Sequence, residues 1–200
     1  MKIVSIIIML FLFCGFALSS NEKVMAYKNI YFFESFDSVF TYISGDSSFM
    51  MDEYDIKFAK SQSNHLHASM KLAGLYCDVF LGFNESKLTT LTFHTTYLNA
   101  TDFESVTLAR ADKFSKIITN KYGKPKHFRK INFLDFGRSK ESNGWIWEID
   151  NKKTIRVGVI SKDLEYSAYL HIYSTKYYER QGKIEKKKKE ALYKNDSKNF

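Results

Sequence analysis

The sequence has too little cysteine to brace itself with disulfides. Its two cysteines are Cys14 and Cys77. The first falls in an N-terminal apolar run expected to be removed, which leaves Cys77 with no intramolecular partner. The motifs of nucleophilic catalysis are missing as well: there is no GxSxG elbow, no SxxK pair and no cysteine near a histidine in sequence. No glycine-rich phosphate loop follows a predicted strand. Asp52, Glu53 and Asp55 do cluster, but at a predicted loop and strand start, where solvation accounts for them. The chain must therefore hold itself together by its core, and about 180 mature residues bury enough surface for one domain to do so. Cys77 is in phase with Leu75, Val79, Leu81 and Phe83, which predicts a buried, inert thiol rather than a nucleophile.

The first residues have the parts of a secretion signal. Lys2 supplies the positive start, and Ile3 to Leu18 is apolar except for Ser5 and Gly15. Ala17 and Ser19 then place small residues two apart, which predicts a signal peptide over residues 1–19 with Ser20 at the mature N-terminus. An uncleaved anchor is the alternative, but the run falls short of the roughly 20 apolar residues that span a bilayer comfortably. Lipid attachment at Cys14 requires a small residue before it, and Phe13 stands there. The expected location is periplasmic or secreted.

A net charge of +8 suggests nucleic acid until it is located. Between Lys176 and Lys198 nine basic residues (Lys176, Arg180, Lys183, Lys186 to Lys189, Lys194 and Lys198) face four acids, Glu179, Glu185, Glu190 and Asp196. The basicity belongs to this tail, residues 176–200, and the body is near neutral, so no nucleic-acid partner is expected. The tail reads as a polar helix with Glu179/Lys183, Glu185/Lys189 and Lys186/Glu190 at i,i+4 spacing. Its lysine run is suited either to anionic lipid headgroups or simply to solubility.

Residues 20–175 read as a single α+β domain of two successive helix-plus-antiparallel-strand units, 34–98 and 101–174. They are expected to form one curved sheet with helices on one face, followed by the basic C-terminal helix. In the first unit, Ser35 caps a helix striped by Phe36, Val39, Phe40 and Ile43 and stopped by Gly45. Alternation then predicts strands at Tyr54-Ile56-Phe58, His65 to Lys71, Leu75 to Phe83 and Leu88 to Tyr97. In the second unit, Thr101 and Glu104 have capping-box spacing. The apolar face beyond them carries Val106, Ala109, Phe114, Ile117, Ile118 and Tyr122, with Gly123 and the lone proline, Pro125, as the stop. Strands are predicted at Phe128 to Phe136, Gly144 to Asp150, Thr154 to Ser161 and Tyr166 to Ser174, with turns at Asn143-Gly144 and Asp150-Asn151-Lys152. The tandem order is similar in architecture to the scaffolds of the TATA-binding protein and the secreted β-lactamase inhibitor protein, which implies a free sheet face but no particular function.

The helix from Phe114 to Tyr122 and its ending Lys121-Tyr122-Gly123-Lys124-Pro125, followed by strands and a Tyr- and Lys-rich stretch from Tyr173 to Lys189, resembles a group of uncharacterised small exported bacterial proteins. The resemblance covers the last half of the chain. It implies an envelope protein and carries no active-site residues.

Several constellations are chemically suggestive. His65 and His67, two apart on a strand, point to one face, and His94 could complete a three-ligand metal site; a solvated polar face is the commoner reading, since no HExxH or acidic cluster supports the metal. Trp145 and Trp147 share a face with Ile149, either as a stacking platform or as core, and core is the commoner fate. Tyr169, His171 and Tyr173 face away from Ala168, Leu170 and Ile172, and with Arg156 they make the preferred binding surface; its alternative is an ordinary solvated face. Sequons at Asn84, Asn99 and Asn195 occur about as often as chance allows and do not identify the source. Together these features predict a non-enzymatic interaction module for a protein or peptide, needing no cofactor. The alternatives are a metal-dependent enzyme using the His-x-His site, or a carrier of a small apolar ligand, suggested by the 16% aromatic content.

Overall fold

The computed structural model describes residues 23–137, 140–180, 182–184 and 186. The expected leader, residues 1–19, and the tail from 187 to 200 lie outside the described residues. The chain is an α+β protein built on a nine-stranded antiparallel sheet with a few helices.

A short hairpin, β1 (Met25–Tyr27) and β2 (Ile30–Tyr31), comes first, then helix α1 (Phe36–Gly45). Ser35 caps α1, its side chain accepting from the Ser38 amide, and Phe36, Val39 and Ile43 are buried as their spacing requires. After β3 (Phe49–Met50), the predicted strand at Tyr54, Ile56 and Phe58 is instead helix α2 (Glu53–Ser61). Its cause is local: Asp52 accepts from the Asp55 amide while Asp55 accepts from the Asp52 amide, a reciprocal capping box that satisfies two otherwise orphaned donors. Those acids cap a helix rather than merely being solvated.

Strands β4 (His65–Leu72), β5 (Leu75–Asn84) and β6 (Lys87–Thr95) follow as a meander. Ala73-Gly74 and Glu85-Ser86 turn it, every one of the four at positive φ, the geometry whose twist matches paired strands. Beyond β7 (Leu98–Asn99), the anticipated Thr101/Glu104 box does not form. A 3-10 turn (Ala100–Asp102) and a π turn (Phe103–Thr107) lead into α3 (Leu108–Tyr122), and neither has a side-chain cap. The tertiary demand is visible: Phe103 is buried edge-on against Tyr166, Phe133 and Phe136. α3 ends at Gly123, φ 80° and ψ −165°, a conformation open essentially to glycine alone.

The stretch from Phe128 to Phe136, predicted as a strand, contributes only β8 (His127–Phe128) and then a 3-10 turn (Phe133–Gly137). Asp135 explains the departure from alternation. Its carboxylate accepts from the Asn132 amide and the Ser142 hydroxyl and pairs with Arg129. Strands β9 (Glu141–Ile149), β10 (Lys153–Lys162) and β11 (Glu165–Ser174) complete the sheet. Asp150-Asn151 and Asp163-Leu164 form the hairpin turns at positive φ.

Across the sheet the order is β3-β4-β5-β6-β11-β10-β9-β8, with β7 also on β11. Both halves of the chain run inward from an edge, and their last strands, β6 and β11, pair at the centre. One face carries Leu66, Leu81, Leu91, Ile172, Ile155 and Trp147 in one register row. α1, α3 and the β1-β2 hairpin pack on this face: Phe36 meets Phe83, Tyr27 meets Phe93, and the Trp147 indole donates to the Gly123 carbonyl at 2.9 Å. Trp147 is core, and half-buried Trp145 packs beside it against Phe128.

Asn143-Gly144 is not a turn but a bulge within β9: Val157 pairs with Trp145 and Gly158 with Asn143, leaving Gly144 unpaired. The extra residue reverses the alternation, so both tryptophans face the core while Asn143 and Glu141 face out. At Gly158 the sheet is tight, since a Cβ there would lie 2.2 Å from the Ser142 carbonyl and 2.7 Å from the Tyr169 hydroxyl. Gly158→Ala should therefore destabilise the fold by about 1–3 kcal/mol, the usual cost of overpacking a closed site. A fall in the urea midpoint at unchanged slope checks this, and an unchanged midpoint would mean that Tyr169 does not lie over this glycine.

Candidate functional site

The face opposite the core is polar and aromatic, and its rows follow directly from the ladder registers. One row crosses seven strands as His67, Phe80, Thr92, His171, Arg156, Ile146 and His127. On one side of it lie Ser69, Asp78, His94, Tyr169, Gly158 and Asn143; on the other lie His65, Gly82, Thr90, Tyr173, Thr154 and Glu148. Period-two alternation on β10 and β11 thus brings Arg156, Tyr169, His171 and Tyr173 together.

Within this set the roles differ. Tyr169, only 2% exposed, lies over Gly158, with its hydroxyl 2.7 Å from both Glu141 Oε1 and Asn143 Oδ1. Burial first, then the charge and hydrogen bond of Glu141, push the phenol far above its ordinary range, so it stays protonated. Tyr173, 3% exposed, packs edge-on to His171 at 5.2 Å between ring centroids. The Arg156 guanidinium sits 5.0 Å from the centre of the Tyr173 ring and 5.1 Å from that of Tyr178. Tyr178 belongs to the helical turn 175–180 and stacks on Tyr173 at 4.3 Å. Arg156 Nε is buried without a hydrogen-bond partner. No carboxylate among the described residues lies within ion-pair distance of this guanidinium. A buried unsatisfied donor costs on the order of 1–3 kcal/mol, more when it is charged.

The other half of the face centres on Phe80, an apolar ring 45% exposed. His67 stacks beside it at 4.8 Å and His94 meets it edge-on at 5.5 Å, with Tyr169 beyond His94 at 6.3 Å. His67 Nδ1 is held 2.7 Å from Asp55 Oδ1, which ties α2 to the edge of the sheet. The proposed ligand trio does not converge: Phe80 stands between His67 and His94, and His65 is exposed at the far end of β4. Among the described residues no group of three His, Cys, Asp or Glu side chains is placed to hold a metal ion. A cleft of about 300 Å³ opens on the same side of the sheet at His127, Arg129, Glu141, Asn143 and Ile146.

Phe80 and Tyr178 were not singled out by the sequence reading. Phe80 alternates opposite Cys77, Val79 and Leu81, so its outward direction was readable, but its histidine neighbours come from other strands. Tyr178 gave no signal, because its contact depends on where the chain turns after β11.

As a class, the molecule is an α+β protein with one large antiparallel sheet, helices against its apolar face and a polar-aromatic outer face. None of the protein-family models, curated proteins or solved structures compared with this chain matches it. No helix among the described residues is long and apolar enough to cross a membrane.

Two outcomes follow from the electrostatics. Burial, then the charges of Arg156 and His94, pull His171 down to about 4, against about 6.5 for a free imidazole. The unfolded chain therefore binds a proton that the folded chain refuses between those values, and stability falls as pH drops through this window. Between pH 7 and pH 5 the loss from His171 should be ~2 kcal/mol; urea midpoints at the two pH values should converge in His171→Gln, and an undiminished difference would assign the loss elsewhere. Burial likewise raises the Cys77 thiol to about 11, so in the native protein it should react with a thiol reagent far more slowly than after unfolding. Labelling followed by intact mass measurement checks this.

Proposed function

We propose that this chain is an exported, non-enzymatic binding module whose ligand is a protein or peptide segment lying across the outer face of the sheet. One observation carries the reading: Phe80 stands exposed on that face, one strand in from the His67 end of the row, flanked by imidazoles and continuous through the register row with the Arg156 cluster. Exposed aromatics with polar neighbours and a partly buried arginine are the residue types that dominate recognition surfaces. Buried Tyr169 and Tyr173 act as its floor, and Phe80, His171, Arg156 and Tyr178 as the contacting groups.

Export rests on the leader pattern of Lys2, the apolar run and Ala17/Ser19. The helix end at Lys121 to Pro125, with Gly123 at positive φ, supports placing the chain beside the small exported bacterial proteins it resembles. Mirrored strand order about the β6–β11 pair supports two helix-plus-strand units that arose by duplication.

Panning a random-peptide library on the full mature chain tests the binding reading. Selected peptides should lose at least ten-fold in affinity for Phe80→Asp and keep it for Leu164→Asp, a change at an exposed hairpin tip away from the face. Peptides that bind Phe80→Asp as well as the parent protein would move the function off this surface.

A further inference from the structure

Resting on the outer face as the binding surface, we infer that its ligand is an extended acidic peptide, with one carboxylate seated on Arg156 and a large apolar side chain on Phe80. The inference starts from an imbalance of charge. Arg156 packs beside the stacked pair of Tyr173 and Tyr178, its Nε is buried and unpartnered, and the described residues supply no carboxylate to it. A guanidinium is a planar fork of N–H donors matched to a carboxylate, and among the described residues this one meets only aromatic rings and a tyrosine hydroxyl. His171, its cross-strand neighbour, does not answer the charge: it is an imidazole held neutral beside the arginine. The missing partner is an anion, and the aromatic walls favour one attached to organic bulk over a free, strongly hydrated ion.

The spacing then constrains the ligand. Arg156 and Phe80 stand in the same register row on β10 and β5, with His171 of β11 and Thr92 of β6 between them. Three strand intervals of about 4.8 Å separate them by roughly 14 Å. An extended peptide rises about 3.3 Å per residue, so a strand laid across the row reaches from one seat to the other in about four residues. The Thr92 hydroxyl and the neutral His171 ring lie under the intervening backbone, where they can meet its amide groups. The ligand class is a segment with Asp or Glu about four positions from a large apolar residue.

Panning the same library in parallel on the parent protein, Arg156→Gln and Arg156→Lys tests this, with circular dichroism confirming that each variant is folded. The parent pool should be enriched in Asp or Glu about four positions from an apolar residue. The Arg156→Gln pool should keep the apolar preference and lose the acidic one. Arg156→Lys, which retains the charge but not the fork, should select the acidic residue with weaker affinity. A synthetic peptide from the parent pool should bind at least ten-fold more weakly once its acid is changed to the amide, and that difference should vanish on Arg156→Gln. Apolar enrichment with no acidic preference, or an acidic preference that survives in Arg156→Gln, overturns the inference while leaving the outer face as the binding surface. A pool that binds Phe80→Asp and Arg156→Gln undiminished overturns both.

Discussion

The pairing of β6 with β11 is the contact on which the rest of this molecule depends. The two strands are far apart in sequence, and joining them turns two edge-inward runs of strands into one sheet. The ladder between them covers only Thr90 to His94 against Tyr169 to Tyr173. Beyond His94 the backbone of the first half bends away, and side chains take over. Ser167 donates to the Thr95 carbonyl at 2.6 Å, while the Ala168 amide donates to the Thr95 hydroxyl at 3.1 Å. Thr95 and Ser167 are both buried, where an unpaired backbone group would be costly, so these two small hydroxyls splice the ladder until β7 resumes pairing with Glu165 and Tyr166. Replacing them with apolar residues of similar size would leave the shape but strand those backbone groups.

Burial at this junction has a consequence for the outer face. β11 is shielded on both sides along most of its length, by the core beneath and by its own aromatic and arginine neighbours above. Polar groups placed there lose water without gaining the helices that cover the apolar face. Tyr169 is compensated by Glu141 and Asn143, and the bulge at Gly144 is what turns those two residues outward to reach it. His171 adapts by staying neutral. Arg156 rests against the Tyr173 and Tyr178 rings and still leaves its Nε without a partner.

How far this was legible in the sequence depended on whether the deciding contact was local. Ser35 as a helix cap, the β4–β5–β6 meander and the Gly123 stop rest on residues within a few positions of each other, and the structure has them at those places. α2 was equally local and was misread. Tyr54, Ile56 and Phe58 alternate as a strand would, and this outweighed the Asp52/Asp55 box, although a capping bond fixes backbone geometry and a three-residue alternation does not. The opposite error occurred at Thr101 and Glu104, where the box spacing exists but Phe103 is drawn into the aromatic cluster around Tyr166 and the turn is rewound to suit. Parity along β10 and β11 did gather Arg156, Tyr169, His171 and Tyr173 on one face. Which of them are floor and which are exposed, and that Phe80 joins them, followed only from strand order, which no local pattern encodes.

The position of Tyr178 connects this face to the strongest compositional bias in the chain. Thr175 leaves β11 within hydrogen-bond distance of Thr154 at 3.0 Å, and the helical turn that starts there sets Tyr178 on Tyr173. The nine basic residues between Lys176 and Lys198 therefore begin within one turn of the Arg156 cluster. At physiological salt a charge is felt over about 8 Å, so those nearest β11 contribute to the potential at the face. A positive potential of this kind favours encounter with anions.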